Sequence, residues 1–204
     1  MTATVLLVRH ATCAQTGSVL LGRTLDSALD AAGEAQADTL AQYLQAKRNL
    51  LLYASPRRRT RQTAHAISQS TGVPIVITHQ LDEIDFGSWS GQAFDALAQD
   101  RRWQHWNLHR ASASTPAADT MQAAQRRVLD FIGEQLRVHP GQTLALVTHA
   151  EIIRAALLHY LHLGLDDYAR IQVDPASMSS VEFSQRHPVA VQLNQYAPAW
   201  KHCA

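Results

Sequence analysis

The chain has 204 residues, 46% of them apolar and 17% charged, with a formal net charge of +1. That is enough chain for one α/β domain with a sizeable core, and its charge balance argues against a nucleic-acid or membrane-surface specialist. No apolar run approaches the roughly 18 residues that span a bilayer, and the apolar N-terminus lacks a basic leader, so it reads as a buried strand rather than a signal peptide. Cys13 and Cys203 stand at opposite ends of the chain and suggest reduced thiols in a cytoplasmic protein. The eleven histidines include no HExxH or comparable ligand spacing.

Thr4 to Val8 is a continuous apolar run, the pattern of a central strand covered on both faces. A Thr/Gly/Ser-rich loop extends to about Asp30, and Ala31 to Ala46 has helical spacing. Leu50 to Ala54 reads as a second strand. Ser55-Pro56 then suggests an N-cap and first helical residue, for a helix running to Ser70 and closed by Thr71-Gly72. Val73 to Thr78 is a third strand, and Leu81 to Pro116 is irregular and partly helical. Asp119 to Val138 is a helix, Thr143 to Thr148 a buried strand and Glu151 to Leu163 a helix. Ser177 to Gln195 suggests a β-hairpin around His187-Pro188. Strands alternating with helices predict a single α/β domain: a three-layer α/β/α sandwich with a mostly parallel sheet.

Two segments share one pattern, an apolar strand ending in a histidine: Val5 to Thr12 with Arg9-His10, and Leu144 to Glu151 with Thr148-His149. Ligands in open α/β sheets bind beyond the carboxyl ends of strands, so adjacent strands would bring His10 and His149 to one pocket. Ser55 to Ala64 places four arginines on the first turns of a helix, and guanidinium forks match phosphate oxygens. Spacing alone does not say which arginine turns inward. Leu81 to Gly91 sets Asp82, Glu83 and Asp85 beside Gly87 and Trp89; a carboxyl there would serve as a proton donor if burial raised its pKa.

Leu7-Val8-Arg9-His10-Ala11-Thr12 resembles the Arg-His-Gly signature of the histidine phosphatase superfamily, the phosphoglycerate mutase-like proteins. Ser55, Pro56, Arg59, Thr63 and Ala64 match its Ser-Pro-x-x-Arg-x-x-x-Thr-Ala element, which selects Arg59. Leu81, Glu83, Gly87, Trp89 and Gly91 match a further element, which selects Glu83. His149 followed by Ile153-Arg154 corresponds to the second histidine block, and Asp26, Leu29 and Gly33 resemble the stretch after the first loop. Ala11 and Ala150 stand where the family usually has glycine, which is tolerable if neither position needs positive φ.

The resemblance implies a phosphomonoesterase working on small phosphorylated metabolites through a phosphohistidine. His10 would be the nucleophile; Arg9, Arg59 and His149 would surround the phosphoryl oxygens, and Glu83 would be the acid and base. It implies no cofactor and no metal, and no nucleic-acid or membrane partner; a homodimer stays open. Thr16, Arg23 and Ala150 are candidate substrate contacts, with Arg23, Trp89 and residues 94–116 at the pocket mouth. Residues 86–118 are expected to form a lid or cap, with at least one of their tryptophans in the core. The compact chain favours a phosphatase, with the α-ribazole phosphatases as a subclass to compare. The alternatives are a phosphoglycerate mutase, a non-catalytic phospho-ligand binding protein, a metallohydrolase and, least favoured, a nucleic-acid module built on Arg57 to Arg61.

Overall fold

A computed structural model describes residues 2–185 and 187–197; Cys203 lies outside the described residues. Its first strand, β1 (Thr2–Arg9), lies inside a six-stranded sheet. The other strands are β2 (Leu50–Ala54), β3 (Ile75–Ile77), β4 (Thr143–Thr148), β5 (Met178–Ser184) and β6 (His187–Gln195). Their order is β3-β2-β4-β1-β5-β6, with the first four parallel and β5 and β6 added antiparallel. The helices are α1 (Ala31–Gln45), α2 (Arg58–Thr71), α3 (Phe94–Leu97), α4 (Arg101–Leu108), α5 (Met121–Val138) and α6 (Ala150–Tyr160).

Strand periodicity builds the layers. Along β1, Val5 and Leu7 join the core against α5 and α6, while Leu6 and Val8 join the core against α1 and α2. Successive side chains point to opposite faces, so a run apolar throughout must be covered on both. The result is the three-layer sandwich with a mostly parallel sheet.

Register then decides what meets at the carboxyl edge. Arg9 pairs with Thr148, and Ala54 pairs with Val147. His10, His149 and Ser55 therefore leave three adjacent strands side by side, and His10 N–H donates to the Thr148 carbonyl at 3.0 Å.

The α2 terminus differs from the sequence expectation. Its N-cap is Arg57, not Ser55, and the Arg58 N–H is capped from a distant loop by Asp26 Oδ1 at 2.6 Å. The Ser55 hydroxyl is engaged elsewhere, within the site. At the other end Gly72 takes φ +73°, the left-handed conformation that stops a helix with least strain. The hairpin forms, but His187-Pro188 opens β6 instead of making the turn, and Gln185, at φ +50°, lies in the connection. A 3₁₀ segment, Leu165–Arg170, was not visible in the periodicity.

Residues 86–118 fold back onto the domain. Trp89, Leu97 and Trp106 are buried in the core, and Trp89 Nε1 donates to Asp100 Oδ2 at 2.9 Å. Trp89 is thus a core residue rather than part of the pocket mouth. Among the described residues, no helix is long and apolar enough to cross a membrane.

Candidate active site

A cavity of about 460 Å³ opens at the carboxyl edge of the sheet, lined among others by Arg9, His10, Arg59 and Glu83. His10 is only 5% exposed, and its Nδ1 lies 2.8 Å from the Ala11 carbonyl oxygen. A carbonyl only accepts, so Nδ1 carries the proton and Nε2 keeps its lone pair. Burial, reinforced by the charges of Arg59 and Arg9, holds the His10 pKa well below the ordinary imidazole value. The ring is neutral and its tautomer is set.

Both arginines are anchored through backbone carbonyls. Arg9 NH1 donates to Val173 O at 2.7 Å; Arg59 donates through NH2 to Gly22 O at 2.8 Å and through NH1 to Leu25 O at 3.2 Å. Each Nε–H is buried without a hydrogen-bond partner among the described residues. A buried unpaired donor costs about 1–3 kcal/mol, more when charged, so an acceptor bound there relieves a standing penalty. The neighbouring arginines diverge: Arg57 pairs with Asp82 at 2.7 Å, and Arg58 and Arg61 are exposed.

His149 stands behind this pair. Its ring centroid is 5.5 Å from that of His10, but its side chain has no exposed surface. Arg59 NH2, which can only donate, lies 3.1 Å from His149 Nδ1. The neutral ring therefore carries its proton on Nε2, which donates to Ser55 Oγ at 2.8 Å, and Ser55 in turn donates to Asp82 Oδ1 at 3.3 Å. Burial, then the Arg59 charge, keeps His149 well below its ordinary pKa. His149 was expected around the phosphoryl oxygens; its ring nitrogens face Arg59 and Ser55, and it is not among the residues lining the cavity.

Glu83 lines the cavity with 8% exposure. Its Oε1 accepts from Ile84 N–H at 3.0 Å, and its Oε2 lies 3.9 Å from His149 Nδ1. Burial, with the Glu151 charge adding to it, pushes its pKa up to about 7. Among the described residues, no group of three or more His, Cys, Asp or Glu is arranged to hold a metal ion.

The sequence profile of the histidine phosphatase superfamily, branch 1, matches residues 5–196. The chain belongs to the histidine phosphatase superfamily. A curated relative, a putative phosphoserine phosphatase 2 of Hydrogenobacter thermophilus, is 27% identical over 93% of this chain and 94% of its own length. At that level of description this chain is a phosphatase and a hydrolase. Two solved structures share the fold. The Entamoeba histolytica phosphoserine phosphatase, in complex with 3-phosphoglyceric acid, has a TM-score of 0.86 at 21% identity, covering 95% of this chain and 97% of its own. A putative alpha-ribazole-5'-P phosphatase from Escherichia coli has a TM-score of 0.84 at 22% identity, covering 96% and 97%.

Within this histidine phosphatase, Thr16 and Ala150, two of the candidate substrate contacts, line the cavity, and Arg23 is not among its lining residues. The Arg23 guanidinium is drawn towards Asp119, 3.2 Å away, and donates to the Glu83 carbonyl, so it supports the Glu83 backbone. Neither Ala11 nor Ala150 has positive φ, which explains why alanine fits where the family usually has glycine. Sequence reasoning missed the far wall. There Arg110, on the loop after α4, pairs with Glu151 on α6, which also pairs with Arg154, and lies over Tyr168 on the 3₁₀ segment. Arg154 was foreseen through the second histidine block and residues 94–116 at the pocket mouth, but the contact between Arg110 and Glu151 was not.

Proposed function

We propose that this phosphatase hydrolyses phosphate monoesters of small metabolites in two steps, through a phosphohistidine on His10. One observation carries the reading: a buried, neutral imidazole with its Nε2 lone pair free stands in a cavity with two arginines whose Nε–H donors are unpaired.

In the first step His10 Nε2 attacks phosphorus as the ester oxygen leaves. Arg9 and Arg59, fixed by backbone carbonyls, stabilise charge on the equatorial oxygens, and His149 holds Arg59 in direction. Glu83 supplies the proton to the leaving oxygen; burial raises its pKa to about 7, so the protonated form needed for that step is present near neutral pH. In the second step the Glu83 carboxylate takes a proton from water, which attacks the phosphohistidine and releases inorganic phosphate with His10 regenerated. Arg9 and Arg59 supply the positive charge, so the reading requires no metal.

Residues 86–118 act as a cap in this scheme. They contribute Phe86, Phe94, Trp103 and Arg110 to the cavity wall and shield the reacting atoms from bulk water. The phosphoserine and α-ribazole phosphate named for the relatives are candidate substrates; an α-ribazole-type ester suits the ring-lined wall better.

The test is phosphate release from alkyl and aryl phosphate monoesters, with and without a chelator. Release unaffected by chelation supports the reading. Activity abolished by chelation and restored by a divalent metal would overturn its metal-free form, and no release from any ester would overturn the assignment itself.

A further inference from the structure

Asp82 and Glu83 are neighbours in the chain, yet their carboxyls have different surroundings. Glu83 lines the cavity, whereas Asp82 is not among the lining residues and is 3% exposed. Asp82 Oδ1 accepts from the Glu83 N–H at 2.9 Å and from Arg57 Nε at 2.9 Å, and Oδ2 accepts from Arg57 NH2 at 2.7 Å. The Ser55 hydroxyl completes the set, 3.3 Å from Oδ1. The two-step mechanism uses neither Asp82 nor Ser55.

Both belong to a buried chain of hydrogen bonds that ends on a phosphate-binding arginine. From Asp82 it passes through Ser55 Oγ to His149 Nε2, 2.8 Å away, and from His149 Nδ1 to Arg59 NH2, 3.1 Å away. Ser55 and His149 have no exposed surface and Arg59 is 1% exposed, so bulk water offers these groups no other partner.

The two ends of the chain fix its sense. A carboxylate has no proton to give, so Ser55 donates to Asp82 and is left to accept from His149 Nε2–H. A guanidinium only donates, so His149 Nδ1 must accept from Arg59. The neutral ring meets both demands with its proton on Nε2. Were Ser55 to turn its proton towards His149, the ring proton would move to Nδ1 and face Arg59 NH2, donor against donor. That nitrogen would then keep only the Gly22 carbonyl, and the guanidinium would turn away from the ring.

Building on the proposed phosphatase reading, we infer that Asp82 is a positioning residue. Through Ser55 it sets the tautomer of His149, and so holds Arg59 in the direction that meets the phosphoryl oxygens. A carboxylate that served only as the ion-pair partner of Arg57 would steady the start of α2 and leave the His149 proton where it is.

The experiment reads the His149 tautomer by ¹⁵N NMR of the labelled protein without substrate, and kcat/KM for para-nitrophenyl phosphate in Asp82→Ala, Ser55→Ala and the double variant. An aryl ester expels its leaving group with little help from an acid, so any disturbance of Glu83 through its N–H counts least there. The wild-type ring is expected to be protonated on Nε2, and Asp82→Ala should populate the Nδ1-protonated form. Each single variant should lose about tenfold or more in kcat/KM, since a small misplacement of a preorganised group costs up to about 10²-fold. Because Asp82 acts through Ser55, the double variant should stay within about twofold of Ser55→Ala. Losses that multiply in the double variant would overturn the inference. So would a wild-type ring protonated on Nδ1, or a wild-type tautomer and kcat/KM in Asp82→Ala. If Asp82→Ala does not fold, Ser55→Ala decides: a tenfold loss in the folded protein supports the inference, and wild-type kcat/KM overturns it. Release from no ester by the wild-type protein would remove the phosphatase reading, whereas the tautomer is read without substrate and tests the hydrogen-bond chain separately.

Discussion

Glu83→Gln should stabilise the fold, and by an amount that depends on pH. The carboxyl titrates near 4.5 when unperturbed and at about 7 in the folded protein, chiefly because burial penalises its charged form. The folded state therefore holds this proton more tightly than the unfolded state. Stability is lost as pH rises from 4.5 towards 7, and the deficit persists above 7. A shift of about 2.5 units corresponds to roughly 3 kcal/mol at pH 8 and about 1 kcal/mol or less at pH 5. Glutamine keeps an acceptor for the Ile84 N–H and removes the buried charge. For a domain of this size that gain corresponds to a Tm increase of about 6–12 °C at pH 8, and about a third of that at pH 5. Thermal unfolding of both proteins at the two pH values measures it without reference to any substrate. An equal change at both pH values, or a loss that grows with pH, would refute the raised Glu83 pKa and the proton-donor assignment that depends on it.

Arg59→Ala should lower kcat/KM by at least about 10²-fold, as loss of a preorganised charge donor does, whereas Arg58→Ala and Arg61→Ala, exposed on the same helix, should change it little. Steady-state kinetics on the three variants decides this, and a large effect at Arg58 would place the wrong guanidinium in the site. Gly33→Ala should destabilise the fold by about 1–3 kcal/mol, because a Cβ there would meet the Thr12 carbonyl oxygen at 2.0 Å. Chemical denaturation measures it, and wild-type stability in this variant would contradict the packing of α1 against the His10 loop.

Much of the fold was legible because local pattern and global layer agree. The runs at Leu50–Ala54 and Thr143–Thr148 are apolar on both faces and became buried strands with the expected limits. The two strand–histidine segments proved adjacent, and the family motif drew the buried Arg59 from a cluster in which periodicity saw four equal candidates. What the sequence hid lies in contacts between distant segments. Ser55 reads as a helix cap by propensity, but His149, 94 residues away, recruits its hydroxyl. Arg23 reads as a substrate contact at the pocket mouth until the Asp82, Asp85 and Asp119 carboxylates are seen around it. Arg110 and Glu151, 41 residues apart, meet only when the cap folds onto α6. Trp89 and Trp106 carry no mark in the sequence that separates core from rim.

The phosphohistidine on His10 is the central claim, and trapping it is the direct test. The protein is mixed with a ³²P-labelled phosphate monoester, quenched in alkali within milliseconds, digested and mapped. The account predicts label on the peptide containing His10, stable in alkali, released in acid as a phosphoramidate is, and absent from His10→Ala. Label that survives acid, or that maps to a serine or any residue other than His10, would contradict it.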